Sequence, residues 1–261
     1  MMKIAAKDLS LGYNKIVTKE AHPQMNMDYG VLKLEAGGTF SETSKGETNY
    51  ALISGEVEFT FDGQTKTAVR DNPFHHNPIL LRVATGADVQ IKAVKDSEVA
   101  IVSTDNAHTF ASEFIGEEDL LQASELRGEG LMRDASTRVV RTYYDRSNKP
   151  ETNFFLGEVV SYPGKWSSFP PHRHVEPEIY YYRFLPEDGY GLGEFGNDAY
   201  KIQNGDTQIM VGDSHSQCTT PGYAEWYLWI IRLRDDHPME TLNIEQYQWV
   251  NNPDAKFFPE I

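Results

Sequence analysis

The stretch Phe169–Arg183, FPPHRHVEPEIYYYR, decides the reading of this chain. His172 and His174 are two residues apart. On an extended strand, side chains at i and i+2 point to the same face, so two imidazoles can grip one ion. Glu178 then opens an aromatic run, EIYYYRF, and can add an anionic oxygen. Glu176 shares its parity but precedes Pro177 at a turn, which makes Glu178 the better ligand. Further on, NGDTQIMVGDSHS begins at Asn204 and places His215 after a short strand bounded by Gly205-Asp206 and Gly212-Asp213. A His-x-His pair alone is a weak signal; the pair, the glutamate and the later histidine together are far more specific. Three neutral imidazoles and one carboxylate suit zinc, iron(II) or manganese(II). The expectation is one divalent transition metal held by His172, His174, Glu178 and His215.

The residues around this stretch read as β-structure. From Thr137 onward, strands are expected at Val139–Tyr143, Phe154–Ser161, Glu178–Phe184, Tyr190–Phe195, Gln208–Val211 and Tyr223–Arg232. The first hundred residues repeat the style, with strands at Tyr29–Leu34, Tyr50–Ile53, Val57–Phe61, Ile79–Ala84, Val89–Val94 and Val99–Ser103. Gly37-Gly38, Ser54-Gly55, Asp62-Gly63 and Gly86 punctuate them, and Asp-Gly between strand residues is a hairpin signal. Residues 105–136 are richer in Glu, Ala and Leu, and predict a linker with a short helix around Glu117–Leu126, stopped at Gly128. Two strand blocks flanking such a linker predict an all-β, duplicated barrel. Its halves would be residues 1–104 and 137–261.

Composition narrows the function. Of 261 residues, 39% are hydrophobic and 12% aromatic, enough for a real core. The net charge of −15 would repel a phosphate backbone, which argues against nucleic acid. Cys218 is the only cysteine, so no intrachain disulfide forms. No signal-like apolar run opens the chain, and no apolar run is long enough for a membrane helix. These features predict a cytoplasmic protein without a membrane partner. His75 and His76 are adjacent and would point to opposite faces; His22, His108 and His237 lack partners and are expected at the surface.

The His-x-His pair, the following Glu and the later lone His resemble the paired motifs of the cupin superfamily. The run GEVVSYPGKWSSFPPHRH (Gly157 to His174), EIYYYRF from Glu178, Gly205-Asp206, His215 and the Pro221-Gly222-Tyr223 turn together resemble the 5-deoxyglucuronate isomerase family. The resemblance is strong over residues 138–233 and weaker over most of the rest. It implies a double-stranded β-helix (jelly-roll) bicupin. The N-terminal barrel, with ETNYALISGEV from Glu47, would lack a metal site. The C-terminal barrel would bind the metal through the four residues above. The implied reaction is an aldose–ketose isomerisation, 5-deoxy-D-glucuronate to 2-deoxy-5-keto-D-gluconate, in inositol catabolism and without a redox cofactor. A homo-oligomer is the class-level expectation. The chain departs from the family in two loops. The insert between the His pair and the Glu is cut to Val175-Glu176-Pro177, and Val211-Gly212-Asp213 replaces Pro-Lys-Gly before the last His.

Isomerisation needs groups that hold a sugar acid and move a proton. Alternation puts Tyr180 and Tyr182 on the face of Glu178, and Tyr181 and Arg183 on the other. Tyr182, Tyr223 and Tyr227 are candidates to hydrogen-bond the sugar. Lys165 and Arg173 are cationic candidates, and the catalytic set taken forward is Tyr182, Tyr223 and Lys165. Two other classes remain open at this level: an iron(II) dioxygenase using the same ligands, and a non-catalytic sugar-acid-binding cupin.

Overall fold

A computed structural model describes residues 2–235 and 238–260, so His237 lies outside the described residues. Strands dominate, and the helical turns among the described residues are all of the 3-10 type. The chain forms two compact units, each drawn from separate segments. One comprises Met1–Ala6, Ser124–Val140 and Gly157–Ile261; the other comprises Lys7–Ala123 and Arg141–Leu156.

The first unit carries the His-x-His segment. Its central strand, Glu178–Leu185, is EIYYYRFL, with aromatic and β-branched residues that favour a pleated, buried position. It pairs antiparallel with Ala224–Arg232, from Glu178 opposite Ile231 to Leu185 opposite Ala224. On its other side it pairs with Thr207–Met210, which in turn pairs with Met2–Ile4. The sheet continues from Ala224–Arg232 through Phe154–Ser161 and Arg138–Tyr144 to Gln122–Arg127. A five-stranded sheet runs in the order Asp198–Gln203, Tyr190–Phe195, His215–Thr219, Trp166–Arg173 and Leu242–Asn243. The two sheets face each other across a polar interior. Tyr227 Oη lies 2.7 Å from Ser167 Oγ, and the Tyr182 hydroxyl lies 2.7 Å from Gln217 Oε1. Tyr181 points the other way and packs edge-on against Trp226, as alternation requires.

The second unit has an apolar interior. Leu52, Val57, Phe59 and Phe61 from the strand Glu47–Phe61 pack with Leu81, Val83, Val89 and Ile91. Burying each such side chain stabilises the fold by about 1.5–3 kcal/mol. Ser54-Gly55, read from sequence as a turn, lies within this single long strand. Gly55 has φ +106, and a Cβ there would sit 2.2 Å from Ser97 Oγ. Only glycine fits that close, positive-φ position. Here the strand changes partners: residues before it pair with Leu80–Val83 and Ser97–Thr104, and residues after it with Gln64–Arg70 and Asp88–Ala93. Glycine makes the corner rather than a strand end.

The helix expected around Glu117–Leu126 is absent. Glu117–Asp119 forms one 3-10 turn, and Gln122–Arg127 is a strand. The segment offers no apolar helical stripe, and helix propensity alone is a weak preference. The Leu121 amide instead donates to the Tyr143 carbonyl at 3.0 Å, a normal amide bond length.

Candidate metal centre

The sheet register builds the site. His172 stands directly opposite His215 on the neighbouring strand. Between Ser167 and His172 the ladder is irregular, and Ser168 adopts φ +54. A bulge of this kind re-aims the side chains that follow it. The ring centroids of His172 and His215 are 4.5 Å apart, those of His174 and His215 5.3 Å. Potential ligand atoms of His172, His174 and His215 all lie within 4.8 Å of one another.

Glu178 reaches this cluster from the facing sheet. Its Oε2 lies 3.1 Å from both His174 Nε2 and His215 Nε2. His215 Nε2 is buried, and the group it faces is Glu178 Oε2. His174 and Glu178 are also buried. The backbone sets the ring orientations. His174 Nδ1 is 3.0 Å from the Glu176 carbonyl, and His215 Nδ1 is 3.4 Å from the Asp213 carbonyl. With Nδ1 donating to a carbonyl, each ring turns its Nε2 lone pair inward, as metal-binding histidines do. Both carbonyls come from loops, Val175-Glu176-Pro177 and Val211-Gly212-Asp213. Glu176 lies behind His174, with a carboxylate oxygen 3.9 Å from Nδ1, on the side away from the cluster. The donor set fits a divalent ion: three imidazoles and one carboxylate converge on one point.

Electrostatics favour the ligand forms of His172 and Glu178. Burial, reinforced by His215, pushes His172 down to about 4, so its imidazole is neutral at pH 7. Burial opposes ionisation of Glu178, but His174 and His215 outweigh it and hold the carboxyl well below its usual range. Burial pulls His174 down, and its contacts with Glu178 and Glu176 more than restore it, leaving it raised.

Beneath the cluster lies a belt of tyrosines. Tyr180 packs 5.9 Å from the His215 ring and 4.6 Å from Tyr227, centroid to centroid. Its hydroxyl is 3.3 Å from Ser168 Oγ. Tyr182, one step deeper on the same face, is buried and lies 2.8 Å from Gln208 Oε1 as well as near Gln217. Burial and the charge of Glu178 raise the Tyr180 phenol well above its ordinary value.

Other residues singled out from sequence lie elsewhere. Lys165 sits just before the strand Trp166–Arg173, at the end away from His172, where its carbonyl accepts from the Thr219 amide. Tyr223 is half-buried just before Ala224, which pairs with Leu185, at the opposite end of the ladder from Glu178. The structure does not bring either to the histidines. Arg173 is exposed, and Arg183 stacks over Tyr181 on the outer face. Sequence reading overlooked Gln208, Gln217 and Ser167, whose contacts depend on which sheets face each other. It also overlooked Arg138, whose charge bears on Tyr227, Tyr180 and His172. Its one available signal was alternation with Val140 in RVVRTYY.

Comparison with known proteins places the chain. The model of the KduI/IolB family matches residues 6–250. A protein from Bacillus licheniformis named 5-deoxy-glucuronate isomerase is 24% identical over 87% of this chain and 90% of its own length. Another of that name, from Shouchella clausii, is 22% identical over 91% of this chain and 96% of its own. Among solved structures, an IolB-like protein from Salmonella typhimurium LT2 superposes with a TM-score of 0.86 at 19% identity, covering 95% of this chain and 98% of that one. Oxalate decarboxylase from Bacillus subtilis, a cupin, superposes with a TM-score of 0.65 at 15% identity, covering 95% and 81%. With facing antiparallel sheets in its histidine-bearing unit, a cupin-type fold and a family match spanning nearly its whole length, the chain belongs to the KduI/IolB family.

Proposed function

We propose that the protein is a metal-dependent ketol-isomerase that converts 5-deoxy-D-glucuronate to 2-deoxy-5-keto-D-gluconate. The observation that carries this reading is the convergence of three imidazoles and Glu178 on one point of a polar barrel interior. The names of the relatives support the substrate class.

His172, His174, Glu178 and His215 would hold one divalent ion, with zinc, manganese(II) and iron(II) all suited to the donors. Such an ion, when bound, supplies Lewis-acid polarisation of neighbouring carbonyl and hydroxyl oxygens. The chain's own residues do the rest. Tyr180 keeps its proton near the cluster and serves as a hydrogen-bond donor to a sugar oxygen. Tyr182 and Tyr227, fixed by Gln208, Gln217 and Ser167, form a rigid floor that orients the bound chain and excludes water. Isomerisation moves a proton between adjacent carbons and needs no redox cofactor. The reading includes a cytoplasmic location, supported by the lone, half-buried Cys218.

The test is direct: metal-loaded protein incubated with 5-deoxy-D-glucuronate and followed by NMR gives the ketose signals of the product. A folded, metal-replete protein that leaves the sugar unchanged refutes the assignment.

A further inference from the structure

The strand registers name the residues that border the donor cluster at its own level. Glu178 stands between Met210 and Ile231. His215 stands between Phe195 and His172. Phe195, Met210 and Ile231 are all buried and apolar. His172 has His215 on one side and Asn243 on the other. Across the five-stranded sheet the row therefore reads Phe195, His215, His172, Asn243. Among the described residues, Asn243 is the one register neighbour of the cluster with a polar side chain.

Asn243 also stands on the side where the cluster opens. His174, Glu178 and His215 are buried, whereas His172 is half-buried and Asn243 is exposed. Residues directly opposite on antiparallel strands share a face, with Cβ atoms about 4.5–5.5 Å apart. The Asn243 carboxamide thus rises from the sheet beside the His172 imidazole. Leu242 pairs with the exposed Arg173 and belongs to the other face. Backbone contacts fix the position: beyond this pairing, the Ile244 amide donates to the Pro171 carbonyl at 3.3 Å. Among the described residues the Asn243 carboxamide has no hydrogen-bond partner. It offers both a carbonyl acceptor and an NH2 donor, the complement of a hydroxyl group.

We propose that Asn243 is a specificity-determining residue of the isomerase, hydrogen-bonding the sugar hydroxyl on the carbon next to the reacting hydroxy-carbonyl pair. This deepens the isomerase reading and rests on it. The reacting pair of oxygens belongs at the donor cluster, and the rest of the sugar chain must lead away from it. Toward Phe195, Met210 or Ile231 a hydroxyl would lose water and gain no partner, which is costly. Toward Asn243 it meets a donor and an acceptor. The next hydroxyl is the first that the sugar presents outside the cluster, and this amide is the first polar side chain beyond His172 in the row. A second anchor beside the reacting carbons orients them for proton transfer.

The experiment compares 5-deoxy-D-glucuronate with the analogue that also lacks that hydroxyl, on metal-loaded wild-type protein, Asn243→Ala and Leu242→Ala. Turnover is followed by NMR. Binding is read by calorimetry with both sugars reduced at the aldehyde, so that neither can isomerise. Metal content and melting temperature are recorded for each protein. Wild-type protein is expected to bind the hydroxylated sugar about 3- to 10-fold more tightly, the range for a neutral hydrogen bond. Asn243→Ala is expected to erase that difference and raise KM for the natural substrate, with metal content and affinity for the analogue unchanged. Leu242→Ala, on the other face of the same strand, is expected to behave as wild type. An undiminished preference in folded, metal-replete Asn243→Ala overturns the inference and leaves the isomerase reading intact. An equal loss in Leu242→Ala does the same, by assigning the effect to the strand and not to the amide. A wild-type protein that neither binds nor converts the substrate overturns both.

Discussion

His174 Nε2 lies 3.1 Å from Glu178 Oε2, while Nδ1 of the same ring lies 3.0 Å from the Glu176 carbonyl. One short loop, Val175-Glu176-Pro177, thus fixes the tautomer of a histidine and delivers the carboxylate it faces. The donors stay converged because the strand beginning at Glu178 is locked by pairing on both sides.

His174→Ala tests the donor set. Removing one of four donors should weaken divalent metal affinity by more than about 100-fold, beyond the 10- to 100-fold typical of losing an outer partner. Equilibrium dialysis with metal analysis reads this out. Unchanged stoichiometry and affinity would remove His174 from the site.

The floor of the site should be sensitive to a single oxygen. Tyr182→Phe strips the hydroxyl that Gln208 and Gln217 share. Leaving buried amides unpaired costs about 1–3 kcal/mol, so the urea midpoint should fall. A variant as stable as wild type would mean that the amides find other partners.

Glu225 gives a pH signature. It is fully buried, its carboxylate oxygens lack hydrogen-bond partners among the described residues, and burial raises it to about 8. The folded state therefore holds this proton more tightly than the unfolded chain does. Its contribution to stability is intact below the unfolded carboxyl pKa and is lost as pH rises toward 8. Glu225→Gln cannot ionise, so its stability relative to wild type should rise through that window, by at most roughly 1.4 kcal/mol per pH unit. Paired thermal melts from pH 5 to about pH 8 check the trend. A constant difference between the two proteins would place the Glu225 pKa near normal.

The apolar unit should respond as a packed core. Phe59 is fully buried among aliphatic and aromatic neighbours. Phe59→Ala should cost about 3–5 kcal/mol, read by denaturant unfolding. A loss below about 1 kcal/mol would show a loosely packed interior.

Much of this was legible in the residues themselves. Glu178–Leu185 announced itself by aromatic density, and the spacing of His172, His174, Glu178 and His215 was enough to nominate one site. Strands such as Gln64–Arg70 and Asp198–Gln203 were not legible, because their side chains are mostly exposed and polar and carry little hydrophobic pattern. Ser54-Gly55 misled because glycine serves both turns and strand corners. Lys165 and Tyr223 flank the motifs in sequence, yet strand direction carries them to the far end of the barrel.

The central claim joins the four-residue cluster to the isomerase chemistry, and metal titration of activity tests both together. Chelator-stripped protein is reloaded stepwise, and conversion of 5-deoxy-D-glucuronate is followed by NMR beside a Glu178→Gln control. The account predicts activity that rises in proportion to bound ion and saturates at one per chain, with almost none in the control. Full activity in stripped protein, or in folded Glu178→Gln, would contradict it.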